Sequence, residues 1–512
     1  MQSCHIDIIL HNPIVRRLVE LIQERREKRA GQSELSVVSD FESIEQDIHT
    51  VVMAIERDLV GEELRQCDVS AKEIEVDGKV YRRGAKLPET YLTAAGCVSV
   101  ERYLYSPTAE EGKSICPLEL RSGIIAGYFT PRAARQGAFA MAHLTPGDSE
   151  ALFEEIGNMH PSRSSLDRLT KVLSPHWEVH REAWEAQIRQ TETVPATAVA
   201  IAISVDGVMA PMRSDDEQEK VKQPSKRTGG PKGYKEVGCG TVTLYDQEAN
   251  RLQTVRYARM PESKKVSLQQ QVETEVASIL ALTPALQRVH LADGAKDNWR
   301  LMNDIEDHLP TPAQAPIEIV DYYHACDHLK NGCDAAWGDG TQESQDYFER
   351  LKIKLKENNN GAELVIRTLR FQHSQAIGRK GERLETELTY FRNQKPRMDY
   401  AEYIRRGLPI ASGVMEAACK TLVTQRLKRS GMIWTNEGGQ AILTLRSLIQ
   451  SDRWRSAWTR LSADFRKIVN LPNQPDLHPV TIIDPSPPQP FTSSDSTQPL
   501  GLFEFVAMVM AA

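Results

Sequence analysis

Two Asp-Gly pairs and one glutamate are the residues best suited to chemistry in this chain. Asp206–Gly207 closes the almost wholly apolar run Ala198–Val205, and Asp293–Gly294 closes Arg288–Ala292. Glu416 lies on the first turn of a helical stretch opened by Ser412–Gly413. Carboxylates are hard oxygen donors that suit Mg²⁺ or Mn²⁺ rather than zinc. Two such ions held side by side can clamp both the entering and the leaving oxygen of a displacement at phosphorus. One Asp-Gly pair is weak evidence, since the chain has 70 acidic residues and most serve as solvated or turn positions. Two pairs that each end an apolar strand, with a glutamate on a later helix, make a far more specific set.

The elements that must position these groups are legible as a series. Ala198–Val205, Gly240–Tyr245 and Thr254–Arg259 read as three strands, followed by a helical pattern over 262–282. Arg288–Ala292 and Pro316–Val320 read as two more strands, each followed by a helix. Three strands, helix, strand, helix, strand, helix is the order of an RNase H-like α/β fold. In open sheets with parallel strands, functional groups gather beyond the strand C-termini. Asp206, Asp293 and Glu416 can therefore converge although 87 and 123 residues separate them. A polar Gly- and Lys-rich segment, Arg213–Lys235, reads as a mobile loop, and about ninety charged, helical residues intervene before Ser412.

Upstream, the first 65 residues read as helices, with Ile14, Leu18, Leu21 and Ile22 at helical spacing and a second pattern from Phe41 to Leu64. A small β-rich module spans 66–128, where Lys72–Val76 and Lys79–Arg83 flank the hairpin turn Asp77–Gly78. Residues 129–192 return to helix. Their Ser/Arg-opened stretch Ser162–Leu169 after a short break fits either a helix-turn-helix DNA-binding unit or an ordinary helical hairpin. The α/β domain is expected over 193–468 with an all-helical insertion at about 330–410. A Pro/Ser-rich tail over 469–512 is expected to be disordered.

Charge is unevenly placed. The whole chain carries −7, which by itself argues against a nucleic-acid partner. Residues 351–450, however, hold 18 Lys and Arg against 9 Asp and Glu, so this block is +9 and the remainder −16. Arg405, Arg406, Lys420, Arg426, Lys428 and Arg429 surround Glu416 in sequence, and Lys420, Arg426 and Arg429 are expected to share much of one helix face. Phosphate contact is their natural use, a solvated charged face the plainer one. The eight cysteines include no CxxC pair, which suits a reducing, cytoplasmic setting. His324, Cys326 and His328 lack a fourth ligand at zinc spacing, so zinc is not expected. No apolar run reaches the roughly 18 residues of a membrane span.

The motifs also resemble a known family. Ser204–Gly207, Leu291–Ala295 and Asp321–His324 are similar to segments of bacterial insertion-sequence DDE transposases of the ISKra group. The most distinctive similarity is Ser412–Lys420, continuing through Gln425–Met432 and Trp434. Cys116–Arg121 and Ser164–Leu169 are similar too, so the resemblance covers roughly residues 60–460. It implies that Asp206, Asp293 and Glu416 form a catalytic triad binding two Mg²⁺ or Mn²⁺ ions, in a fold shared with Mutator-like transposases. It implies double-stranded DNA as partner, both terminal inverted repeats and target, with a homodimer or higher oligomer at work on the nucleoid. Asp321 and His324 match a C/D-x2-H motif of those relatives. His324 would contact the scissile phosphate or orient DNA, with Asp321 fixing its tautomer, or it simply caps the next helix. Trp337 would stack on an unpaired base or pack in the core. A nuclease on the same fold without strand transfer, and a domesticated DNA-binding protein without catalysis, are the alternatives.

Overall fold

The computed structural model describes residues 13–29, 40–109, 112–213, 233–311 and 314–472. Most of the Arg213–Lys235 segment and nearly all of the Pro/Ser-rich tail lie outside these residues. The described residues divide into two compact units. One draws on residues 1–137, 147–166 and 462–512, the other on 138–146 and 167–461. Among the described residues, no helix is long and apolar enough to cross a membrane.

The first unit begins with α1 (Pro13–Arg29) and α2 (Phe41–Gln66). Asp40 caps α2 by accepting from the Ser43 amide at 3.2 Å. An antiparallel sheet follows in the order β1 (Glu73–Val76), β2 (Lys79–Thr93) and β3 (Gly96–Pro107). Asp77 and Gly78 both have positive φ, 51° and 73°, as the two-residue turn between β1 and β2 requires. Leu64 of α2 packs with Tyr91, Val98 and Val100 of the sheet, joined by Leu118 of α3 (Pro117–Ser122). The chain continues through α4 (Pro131–His143), α5 (Pro146–Ile156) and α6 (Arg163–Thr191).

The second unit is built on a five-stranded mixed sheet. Its strands are β4 (Ala200–Met212), β5 (Gly233–Tyr245), β6 (Arg251–Arg259), β7 (Gln287–Ala292) and β8 (Ile317–Val320), in the order β6-β5-β4-β7-β8. The β6-β5-β4 half is antiparallel and the β4-β7-β8 half parallel. Helices α7 (Val266–Leu282) and α8 (Lys296–Asp307) link β6 to β7 and β7 to β8. Gly238 and Gly240 let α7 lie close on β5, since a Cβ there would meet Leu268 at 3.1 Å and Val272 at 3.0 Å. The intervening Val237 and Cys239 point to the other layer, as strand alternation dictates.

That other layer carries α14 (Gly413–Ala418), a π-helical turn (Cys419–Thr424), α15 (Gln425–Leu427) and α16 (Asn436–Gln450). Between β8 and α14 the chain inserts α9 (Tyr322–Trp337), α10 (Gln342–Glu357), α11 (Gly361–Ser374), α12 (Arg379–Gln394) and α13 (Tyr400–Arg405). The insertion therefore starts directly after β8, earlier than the expected residue 330. The last helix among the described residues is α17 (Trp454–Asp464).

Two expectations are corrected here. Most of α6 belongs to the second unit, so the boundary expected at 192/193 does not exist as such. Within that unit Glu178 pairs in bidentate fashion with Arg259 at 2.9 and 3.0 Å, and Glu185 accepts from Gln271 at 2.8 Å. These polar residues bind α6 to the sheet and α7. Second, β4 does not end at Asp206. Gly207 and Pro211 look like strand breakers, yet the β4–β5 ladder runs on from Asp206↔Cys239 to Met212↔Gly233.

Candidate metal centre

Asp206 nonetheless stands at a strand end of a particular kind. The parallel pairing of β4 with β7 stops at Ile203↔His290, and β7 itself ends at Ala292. From there until Trp434 bridges to Met212, β4 has β5 as its one paired neighbour, and Asp206 and Asp293 fall at the resulting step in the sheet. Burial pushes the Asp206 carboxyl above the ordinary range, and the nearby Asp293 charge adds to the shift, against the Gly207 N–H that favours ionisation. That amide donates to Asp206 Oδ1 at 2.7 Å.

Asp293 is oriented by its own turn. Its Oδ1 accepts from the Ala295 amide at 2.9 Å and from Asn298 Nδ2 at 3.2 Å. Gly294 takes φ of 101°, and a Cβ there would lie 3.2 Å from Tyr390 Cε2. The insertion supplies the other side of this turn. Tyr390 donates to the Asp293 carbonyl at 3.4 Å, and Gln394 donates to the Gly294 carbonyl at 3.0 Å. Sequence reasoning missed both α12 residues, because they act on main-chain oxygens about a hundred positions away.

Glu416 is exposed on α14, whose inner face holds Met415 and Ala418. Met415 receives the Thr241 hydroxyl at 3.8 Å, and Cys419 places its Sγ 3.7 Å from Asp206 Oδ2. Glu416 lies one turn before Cys419, so it neighbours that contact on the helix surface. Burying Met415, Leu422 and Val423 anchors this segment, each side chain contributing about 1.5–3 kcal/mol. The hydrogen bond to Cys239 and burial both hold the Cys419 thiol well above its usual range, so it remains a donor to Asp206 rather than a thiolate ligand. Among the described residues, the ligand atoms of Asp206, Asp293 and Glu416 do not all lie within 4.8 Å of one another. The donor set consists of carboxylate oxygens, with the Asp293 charge acting on Asp206, which fits a hard divalent cation.

Asp321 and His324 open α9. The Asp321 carboxylate accepts from the His324 amide at 2.7 Å and from the Ser412 amide. It is therefore committed to main-chain donors, and the expectation that it fixes the His324 tautomer is corrected. His324 is half-buried, its ring 5.2 Å from His328 and 6.4 Å from Tyr390. His328 stacks on Tyr390 at 3.5 Å and bonds Glu387 at 2.6 Å. Trp337 is half-buried, with one face stacked on Tyr347 at 3.8 Å.

The six cations divide into two kinds. Lys420, Lys428 and Arg429 are exposed on the segment after Glu416. Arg405 is exposed and paired with Glu402, and Arg406 donates to Gln287 at 3.0 Å. Arg426 is different: it is 1% exposed, donates to the Met141 carbonyl at 3.3 Å and lies 5.3 Å from the Trp434 ring. The expected shared face of Lys420, Arg426 and Arg429 is thus corrected, because the wide π-turn changes the angular register and turns position 426 inward. Buried Arg446 likewise holds the Leu422 carbonyl at 3.0 Å and also bonds those of Ala142 and Thr421.

Comparison with protein-family models and with curated proteins returned no match.

Proposed function

We propose that the chain is a DDE transposase with an RNase H-like core, which binds the terminal inverted repeats of its element and performs metal-dependent strand cleavage and strand transfer. The observation that carries this reading is the placement of Asp206 and Asp293 at the step in the sheet, with Cys419, one turn after Glu416, 3.7 Å from the Asp206 carboxylate. The strand order β6-β5-β4-β7-β8, antiparallel then parallel, supports the RNase H-like assignment. Asp206, Asp293 and Glu416 would hold two Mg²⁺ or Mn²⁺ ions. Bound there, the ions would stabilise charge on the entering and leaving oxygens of a phosphodiester. The chain's own part is placement: Asn298 and the Ala295 amide aim Asp293, and the Cys419 thiol and Gly207 amide hold Asp206. Exposed Lys420, Lys428 and Arg429 offer charge for the DNA backbone beside Glu416.

The test is incubation of purified protein with a duplex carrying the element's end sequence and Mg²⁺. Wild-type protein should cleave and join strands. Asp206→Asn, Asp293→Asn and Glu416→Gln should each lose roughly 100-fold or more, the scale of removing one electrostatic stabiliser. Full activity in these variants would refute the triad. Cleavage without joining would make the protein a nuclease, and end binding without cleavage would leave a DNA-binding protein.

A further inference from the structure

We propose that Asp321 is a positioning residue that fixes Glu416 relative to Asp293 by closing the base of the helical insertion. The inference rests on the reading above and adds to it a residue that touches neither metal nor DNA.

Asp321 is 5% exposed and sits where β8 passes into α9. Its main-chain amide donates to the Ala292 carbonyl at 2.8 Å, one residue before Asp293. Its Oδ1 receives the His324 amide and its Oδ2 the Ser412 amide, the N-cap of α14. The Ser412 carbonyl in turn receives the amides of Met415 at 2.7 Å and Glu416 at 3.0 Å. Next to this, the Tyr322 amide donates to the Ile410 carbonyl at 2.9 Å. Asp321 therefore meets the end of the strand that leads to Asp293 through its main-chain amide, and its buried carboxylate joins the entry of the insertion to the first turn of the helix carrying Glu416. An ionised carboxylate suits this place because both oxygens accept. An asparagine would accept once and set an NH₂ group against an N–H donor.

Asp321→Asn and Ser412→Pro test this from opposite ends, since proline removes the Ser412 N–H, leaves Asp321 in place and can adopt the φ of −87° found there. Hydrogen exchange on metal-free protein should quicken by roughly 10-fold or more at amides 410, 411 and 413–416 in both variants, with those of 441–449 unchanged. In the cleavage assay the Mg²⁺ midpoint should rise by about 10–100-fold, the usual cost of losing a residue that orients a metal ligand. Reversible destabilisation raises that midpoint only by the reciprocal of the folded fraction, so a variant that is still mostly folded by thermal denaturation moves it by less than about 2-fold. Unchanged exchange at 410, 411 and 413–416, or faster exchange with a wild-type Mg²⁺ midpoint, would overturn the proposal. Wild-type protein that cleaves no DNA would refute the transposase reading, while a wild-type that cleaves beside an equally competent Asp321→Asn would refute this inference alone.

Discussion

Arg426→Met separates a buried arginine from the exposed lysines two and six residues away. The substitution removes the bond to the Met141 carbonyl and the charge beside Trp434. Leaving a buried carbonyl unpaired costs about 1–3 kcal/mol, and a desolvated cation–π contact contributes about 1–2 kcal/mol. The sum is about 3 kcal/mol, which for a unit of this size lowers Tm by roughly 6–12 °C. The salt dependence of DNA binding should stay as in the wild type, because a buried guanidinium displaces no counterion. Lys420→Gln with Lys428→Gln should do the reverse. Tm should change by about 1 °C or less, while the slope of log K against log salt falls by about 0.9 per lysine. At about 0.1 M salt that slope alone predicts roughly 8-fold weaker binding per lysine, or about 60-fold for both. Fluorescence anisotropy across a salt series, with thermal denaturation alongside, reads both quantities. A slope change of about 1 in folded Arg426→Met would refute the burial argument. An unchanged slope in the double lysine variant would remove this face from the DNA interface.

Two more outcomes follow from buried charge. Arg453 pairs with Glu275 at 2.7 and 2.9 Å and with Glu192 at 2.5 and 2.7 Å. Burial alone would raise the Glu275 carboxyl, but Arg453 overrides it and leaves the group below its ordinary range, so wild-type stability from this pair is present at neutral pH and lost as pH falls through that lowered value. Arg453→Met should cost about 3–5 kcal/mol at pH 7, and the Tm deficit should shrink toward pH 4 as Glu275 takes up a proton; a deficit independent of pH would contradict this. The raised pKa of Asp206 has the opposite sign: its ionised form weakens the fold at neutral pH, and the penalty is relieved as pH falls through the raised value. Asp206→Asn should therefore raise Tm at pH 7 while abolishing cleavage, with no gain below about pH 4. A lower Tm at pH 7 in that variant would show that the carboxylate is held for stability.

Sequence pattern reached the parts of this fold that local chemistry dictates. The Asp77–Gly78 hairpin, the five strands and the long helix from Phe41 all follow from turn residues and periodicity. Where an element ends depends on its neighbours instead. β4 runs through Gly207 and Pro211 because β5 continues to pair with it, which no local signal encodes. The charge of the 351–450 block was a sound count but counts Arg426 and Arg446, which are buried and serve main-chain carbonyls. Spacing alone cannot foresee this, since a π-turn alters which side of the helix each position takes. Tyr390, Gln394 and the true partners of Asp321 were invisible for a related reason. Their bonds join positions 91 to 100 apart and involve backbone atoms, which every residue type presents alike.

The closure at Asp321 has a consequence for how such a chain can change length. A segment tethered at two adjacent points adds conformational entropy cost only slowly as it grows, about 0.6 kcal/mol per doubling. The ends at 321 and 412 meet on one carboxylate, so helices can be gained or lost beyond them as long as Tyr390 and Gln394 keep their bonds to the Asp293 and Gly294 carbonyls. Large differences in insertion size are then compatible with one unaltered acidic core. A graft that varies only α10 and α11, keeping Asp321, Tyr322, Tyr390, Gln394, Ile410 and Ser412, is the corresponding engineering route.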